Sequence, residues 1–204
     1  MNTSAEQFRK NGFFIADDFL PAKLAHEIHD LYESEKRWKR VYQVREKHFE
    51  HVFKTKSPYL PKADEPYLAK FGRSDSLESS KRIAKLRTAY FNPALEKISG
   101  TTFSQHNLRC YRMEKGDFIR THIDDYIGEI GCIYYVNESW VWDWGGILHL
   151  CPDVSSDESS VVFPKFNRAV FVNHGKWRFP HFVSTVSEYA EKPRYTMISF
   201  SVPG

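Results

Sequence analysis

His122-Ile123-Asp124 sets an imidazole and a carboxylate two residues apart. On a β-strand, residues i and i+2 project from one side, roughly 6.5–7 Å apart along the chain, so both can converge on one metal ion. Such a triplet also arises by chance, and His48-Phe49-Glu50 is a second one. That one sits in an irregular, lysine-rich stretch and reads as surface. His122 and Asp124 gain weight from His181, 59 residues further on, in the strand-like run Pro180-His-Phe-Val183. Two histidines and one carboxylate on one face of an octahedron leave three positions open, the donor set that suits non-haem Fe(II). Structural zinc needs a fourth protein ligand, and none is obvious. Arg194 follows His181 by 13 residues, entering the last strand as Pro193-Arg-Tyr-Thr196. An inward-facing arginine is costly to bury without an anion. A protein carboxylate could meet it, and so could a dicarboxylate ligand gripped by both arms of the guanidinium. With the triad upstream, the ligand reading is preferred. The remaining histidines have plainer explanations. His26 and His29 fall in the N-terminal helix, and His106, His149 and His174 lie near strand ends, where a hydrogen-bonded structural role is expected.

The elements that must hold these groups divide the chain in two. From Asn107 onward, short β-branched and aromatic runs read as strands over 107–113, 117–124, 130–136, 146–151, 160–164, 168–173, 180–187 and 194–202. Gly116, Gly128, Gly145-Gly146 and the Ser/Asp run 153–160 separate them as turns. Eight such strands suggest an antiparallel sandwich or jelly roll with helices packed on one outer sheet. Residues 1–100 look mostly helical. Leu20-Pro21 opens a helix to about Trp38, with Leu24, Ile28 and Leu31 on its inner face. A second runs from Leu77 to Tyr90, capped by Ser76, with Ile83, Leu86 and Tyr90 inward. A third starts after Asn92-Pro93 and stops at Gly100. Residues 39–76 are irregular, broken by Pro58, Pro61, Pro66 and Gly72. Within 36–56, eight Lys or Arg stand against two Glu, either a solvated face or a lid over an acidic or polymeric substrate.

Composition agrees with one domain over 1–204: helical support in 1–100 with a lid region at 39–76, and a β core over 106–202. Hydrophobic residues make up 41%, charged 27% and aromatic 16%, the balance of a globular chain with a large aromatic core or pocket. A net charge of +3 does not by itself call for nucleic acid or membrane. No apolar run is long enough for a membrane span, and Met1–Asp18 does not read as a secretory signal. Cys110, Cys132 and Cys151 lack C-x-x-C spacing, which argues against a disulfide framework and for a reducing, cytoplasmic setting.

Seen along the chain, these pieces resemble the Fe(II)- and 2-oxoglutarate-dependent dioxygenases, in particular the prolyl hydroxylase branch that includes hypoxia-sensing and ribosomal prolyl hydroxylases. The resemblance is carried by Cys110-Tyr111 before Gly116-Asp117-Phe118, His122-Ile-Asp124, Cys132-Ile-Tyr-Tyr-Val-Asn137 and Gly145-Gly-Ile-Leu148. It continues through Pro164-Lys-Phe-Asn-Arg168, Pro180-His181 and Arg194-Tyr195. Order and spacing hold over about 106–200, and Gly12-Phe-Phe-Ile-Ala-Asp-Asp-Phe-Leu20 resembles the family's opening strand and first helix. The resemblance implies a double-stranded β-helix (jelly roll, cupin-like) and iron held by His122, Asp124 and His181. It implies Arg194 and Tyr135 on the distal carboxylate of 2-oxoglutarate, Tyr111 lining the cosubstrate pocket, and a supporting hydroxyl at Thr196. It further implies turnover of 2-oxoglutarate and O2 to succinate and carbon dioxide, with ascorbate as a reductant. Asp124 argues against a halogenase, whose relatives carry a small residue there. Phe200 stands where the hypoxia-sensing branch has a Trp.

The expected substrate is a prolyl residue in a protein or peptide. A free amino acid or small metabolite is the alternative. A nucleic-acid demethylase ranks lower, because Phe200 occupies the position of its second arginine. A non-catalytic jelly-roll binding module also ranks lower, having no need of the full set of four residues.

Overall fold

The computed structural model of the chain describes residues 4–44, 67–124, 130–153 and 155–203. Its last strand, β11 (Arg194–Pro203), shows how alternation builds the fold. Tyr195 and Met197 point to one face, into a core shared with the helices. Arg194, Thr196, Ile198 and Phe200 point to the other and line an internal cavity.

β11 pairs antiparallel with β4 (Phe103–Met113) on one side and β6 (Ile130–Tyr135) on the other. β9 (Ala169–Asn173) and β1 (Phe13–Ala16) extend this large sheet beyond β6. A smaller sheet faces it: β5 (Phe118–His122), β10 (His181–Val183), β7 (Leu148–Leu150) and β8 (Ser160–Val162). β3 (Tyr67–Arg73) makes the corner, pairing with β4 through Gly72 and Arg73 and with β5 through Ala69 and Lys70. The sheet thus curls on itself as the expected double-stranded β-helix. Phe71, Leu148, Val170, Val172 and Val183 fill the space between its two halves.

The helices cover the outer face of the large sheet. They are α1 (Ser4–Asn11), α2 (Ala22–Ser34), α3 (Asp75–Glu78), α4 (Lys81–Leu86) and α5 (Asn92–Ser99). Phe8, Ile28, Ile83 and Leu95 pack with Cys110, Tyr134 and Phe171 from the sheet. Each such side chain contributes about 1.5–3 kcal/mol when fully buried. α5 ends at Gly100, whose φ of 73° is the left-handed conformation a helix stop favours.

Three expectations need correction. The helix foreseen over 77–90 is two short helices, and the second continues as a π-helical turn, Arg87–Phe91. The caps are Ser74 and Ser80, not Ser76, which hydrogen-bonds Glu35 instead. Residues 39–76 are not irregular throughout: β2 (Lys39–Val44) and β3 form a hairpin-like pair. Residues 45–66, including His48-Phe49-Glu50, lie outside the described residues. No helix among the described residues is long and apolar enough to cross a membrane.

Candidate metal centre and cosubstrate pocket

The two sheets bring distant histidines face to face. His122 ends β5 and His181 opens β10, and the two are direct partners in the β5–β10 ladder. Paired residues share a face, and the rings lie 4.2 Å apart between centroids. Asp124 falls two residues beyond the end of β5 rather than on it, yet its carboxylate turns into the same space. Oδ1 is 3.4 Å from His122 Nε2 and Oδ2 is 3.3 Å from His181 Nε2. Ligand atoms of all three residues lie within 4.8 Å of one another.

Backbone carbonyls fix the tautomers. His122 Nδ1 is 2.8 Å from the Arg120 carbonyl, and His181 Nδ1 is 3.0 Å from that of Phe179. A carbonyl only accepts, so each Nδ1 carries a proton and the Nε2 of each ring is the atom turned toward Asp124. Two lone pairs around a buried carboxylate repel unless a cation or protons lie between them, so the donor set fits a metal. Without a metal, a proton on a facing nitrogen takes that place. Burial alone would raise the Asp124 pKa, but the facing imidazoles hold it well below the usual carboxylate range. Burial disfavours the charged form of His181, but Asp124 prevails and raises its pKa.

The other end of the cavity follows from register. Thr196 pairs with Tyr111 on β4 and with Tyr135 on β6, so the three side chains stand in a row on the inner face. Arg194 is two residues away on the same face and only 2% exposed. No carboxylate pairs with it among the described residues. One arm donates to Met113 Sδ at 3.5 Å, and the guanidinium lies 5.1 Å from the centre of the Tyr135 ring. Arg194 Nε and the Tyr135 hydroxyl are both buried without a hydrogen bond of ordinary geometry. Burial lowers the Arg194 pKa and raises that of Tyr135, each partly offset by the other. A buried guanidinium with no acidic partner among the described residues, beside a phenol whose hydroxyl is unpaired, fits an anionic ligand. Gly146 makes the room: its φ is 63°, and a Cβ there would lie 2.7 Å from Arg194 Cδ. Tyr111 packs on Phe71 with ring centres 4.4 Å apart, and burial raises its pKa.

All seven residues singled out from the sequence border or flank one space. Tyr111, His122, Asp124, His181, Arg194 and Thr196 line the cavity itself, and Tyr135 backs it against Arg194. Phe200 lines it too. Of the other histidines, His26 contacts Glu138 at 2.6 Å and His29 the Val136 carbonyl at 3.1 Å. His149 stacks on Phe182 and contacts Ser159. His174 corrects the expectation of a hydrogen-bonded structural role. It is 2% exposed and lines the cavity, and its ring makes no hydrogen bond among the described residues. Burial, opposed by Asp124, lowers its pKa to about 3. The signal was present in the sequence: Val170, Val172 and His174 alternate, and the two valines point inward. Gln43 of β2 also reaches the cavity, from the segment expected to be irregular.

Residues 107–201, essentially β4 to β11, match the family model of the 2OG-Fe(II) oxygenase superfamily. With the fold and the site, that match defines the class of enzyme: a 2-oxoglutarate-dependent dioxygenase, using Fe(II), 2-oxoglutarate and O2. No curated protein matches the chain. Among solved structures, the fold is shared with a prolyl-4-hydroxylase of Pseudomonas putida, at a TM-score of 0.70 and 15% identity over 98% of this chain and 97% of that one. A prolyl hydroxylase from Trichoplax adhaerens, in complex with a hypoxia inducible factor oxygen degradation domain peptide fragment, aligns at 0.66 and 19% identity, covering 98% and 87%. HygX from Streptomyces hygroscopicus, with nickel, 2-oxoglutarate and hygromycin B bound, aligns at 0.65 and 12%, covering 96% and 84%.

Proposed function

We propose that the protein hydroxylates an unactivated C–H bond of a prolyl residue in a polypeptide, with His122, Asp124 and His181 as the iron ligands. Arg194 and Tyr135 take the distal carboxylate of 2-oxoglutarate, supported by Thr196, while Tyr111 lines the cosubstrate pocket. The observation that carries this reading is the buried guanidinium of Arg194, without an acidic partner among the described residues, opening into the cavity that holds the triad. When bound, iron and 2-oxoglutarate supply the oxidising chemistry, in which O2 is consumed, succinate and carbon dioxide form and a substrate C–H becomes C–OH. The chain's own part is positioning. The two backbone carbonyls hold both imidazoles lone pair inward, Arg194 fixes the cosubstrate's far end, and the apolar walls from Phe71, Ile133 and Leu148 keep water away from the centre.

The prolyl assignment draws support from the branch resemblance at Tyr111, Tyr134-Tyr135 and Pro164-Lys-Phe-Asn167 and from the prolyl hydroxylases that share the fold. A free amino acid or small metabolite is the second reading. It is supported by Phe200 in place of Trp on the cavity wall and by a neighbour holding hygromycin B. The test is succinate release with Fe(II) and 2-oxoglutarate, with and without proline-containing peptides or free amino acids. Coupled oxygen gain on a peptide is expected. Turnover only with a free amino acid would overturn the prolyl-residue reading.

A further inference from the structure

We infer that His174 is a positioning residue for the metal centre, donating a hydrogen bond from Nε2 to Asp124 Oδ2, the oxygen that would remain free if Asp124 held a metal through Oδ1. This rests on the proposed metal site and adds a residue to it. His174 opens the short helix α6 (His174–Trp177), directly after β9. Its Nε2 lies 4.0 Å from Asp124 Oδ2, and its ring is 5.3 Å from that of His181. It does not belong to the group of ligand atoms that converge within 4.8 Å, which argues against a fourth ligand.

The need for a donor follows from the tautomers. Once a metal takes the Nε2 lone pairs of His122 and His181, neither ring has a proton to give Asp124, because both Nδ1–H groups are committed to carbonyls. A carboxylate binding through one oxygen keeps a second, buried oxygen that requires a donor. Among the described residues, no backbone N–H or hydroxyl donates to Asp124, and the His174 Nε2 stands 4.0 Å from its Oδ2. At 4.0 Å the contact is longer than a hydrogen bond, and rotation of the carboxylate onto a metal can close it. The other ring nitrogen, Nδ1, is buried without a partner. A buried acceptor left unpaired is tolerated better than a buried donor, which places the proton on Nε2.

Gly131 is the independent observation. A Cβ at this position would lie 2.8 Å from His174 Nε2 and 3.3 Å from Cδ2. Its φ is not in the left-handed region, so the backbone does not demand glycine there. What the missing side chain provides is space for this ring, with Phe200 Cδ1 3.9 Å away on the other flank.

The experiment is Co(II) titration of the metal-free protein, followed by visible absorbance, on variants whose thermal unfolding matches wild type. His174→Leu should weaken Co(II) binding about 10- to 100-fold, the usual effect of losing an outer-shell partner of a ligand. His174→Gln keeps an N–H near the Nε2 position and should stay close to wild type in affinity and spectrum. Gly131→Ala should mimic His174→Leu, and the double variant should lose little more than either alone. If His174→Leu fails to fold, His174→Gln compared with Gly131→Ala carries the same contrast. Wild-type affinity in His174→Leu, or equal losses in His174→Leu and His174→Gln, would overturn the hydrogen bond. The metal centre itself is checked separately by His122→Ala: if Co(II) binds that variant as it binds wild type, the centre and this inference fail together.

Discussion

Single side chains carry the proposed metal and cosubstrate chemistry, and each makes a separate forecast. His122→Ala or His181→Ala should abolish tight Fe(II) binding and leave thermal unfolding of the metal-free protein nearly unchanged, because the sheets are held by ladders and apolar packing. Wild-type turnover of 2-oxoglutarate by either variant under limiting iron would remove the triad assignment. Arg194→Ala should raise the 2-oxoglutarate requirement roughly 10- to 150-fold, since a charge-assisted hydrogen bond contributes about 1.5–3 kcal/mol. Tyr135→Phe should do less, removing one neutral donor beside an intact guanidinium. The apparent KM for 2-oxoglutarate reads both. This scale was also the most legible in the sequence. His122-x-Asp124, His181 and Arg194 announce themselves by type and spacing, because the chemistry restricts which residues can stand there. His174 carries no such restriction. Its role depends on Gly131 and on a carboxylate 50 positions earlier in the chain, a relation that only the folded ladder brings together.

Elements were legible where one rule dominates and illegible where two compete. The eight core strands follow from alternation and turn glycines. β2 and β3 were hidden because Lys39, Arg40 and Lys70 interrupt the apolar pattern with charge that serves tertiary contacts. Arg40 forms a bidentate pair with Asp117, whose side chain is fully buried in the turn between β4 and β5 and also accepts from the Glu114 backbone N–H. This pair ties β2, and with it Gln43, to the core. Arg40→Met would leave a buried carboxylate unpaired, which costs about 3–5 kcal/mol. The partial exposure of Arg40 favours the lower end, and a urea midpoint equal to wild type would remove this role for the pair. At the other edge, hydrogen bonds from Arg168 and then Lys165 lower the Asp17 pKa from 3.8 to about 2 and tie the end of β1 to the approach to β9. A depressed carboxylate stabilises the fold above its unfolded pKa and loses that contribution as pH falls through the folded one. Asp17→Asn should therefore flatten the loss of stability between about pH 4 and pH 2. The effect should stay below about 1 kcal/mol because Asp17 is partly exposed.

At the scale of the whole molecule, the shape and lining of the cavity decide what can enter it. The helices cover one outer face of the large sheet, the two sheets close around the triad, and β2 brings Gln43 to the cavity wall. With Arg194 proposed to hold the cosubstrate, the side left for substrate is that of Ile198 and Phe200, whose positions on β11 step away from Arg194 two residues at a time. Phe200 is smaller than the Trp of the hypoxia-sensing branch, and a proline ring needs no polar partner of its own, so a side wall of Ile198, Phe200 and Ile133 suits it by apolar contact. Such a wall gives little hold on a single free amino acid, whose ammonium and carboxylate would have to be paired. Charged partners on this side, other than the triad, are absent among the described residues that line the cavity. A prolyl residue inside a chain has neither charge, and its flanking residues can supply binding energy outside the cavity that is used to position the target C–H. The expected result is that kcat/KM for a proline-containing peptide of about ten residues exceeds that for free proline by at least about 100-fold, equivalent to about 2.7 kcal/mol of transition-state stabilisation. Shortening the peptide toward the target residue should lower kcat as well as raise KM, because remote binding is being spent on orientation. Mass spectrometry of one added oxygen, alongside succinate release, measures both. Free proline turned over as well as any peptide would mean that its charges are met by groups outside those described, and the small-molecule reading would replace the polypeptide one.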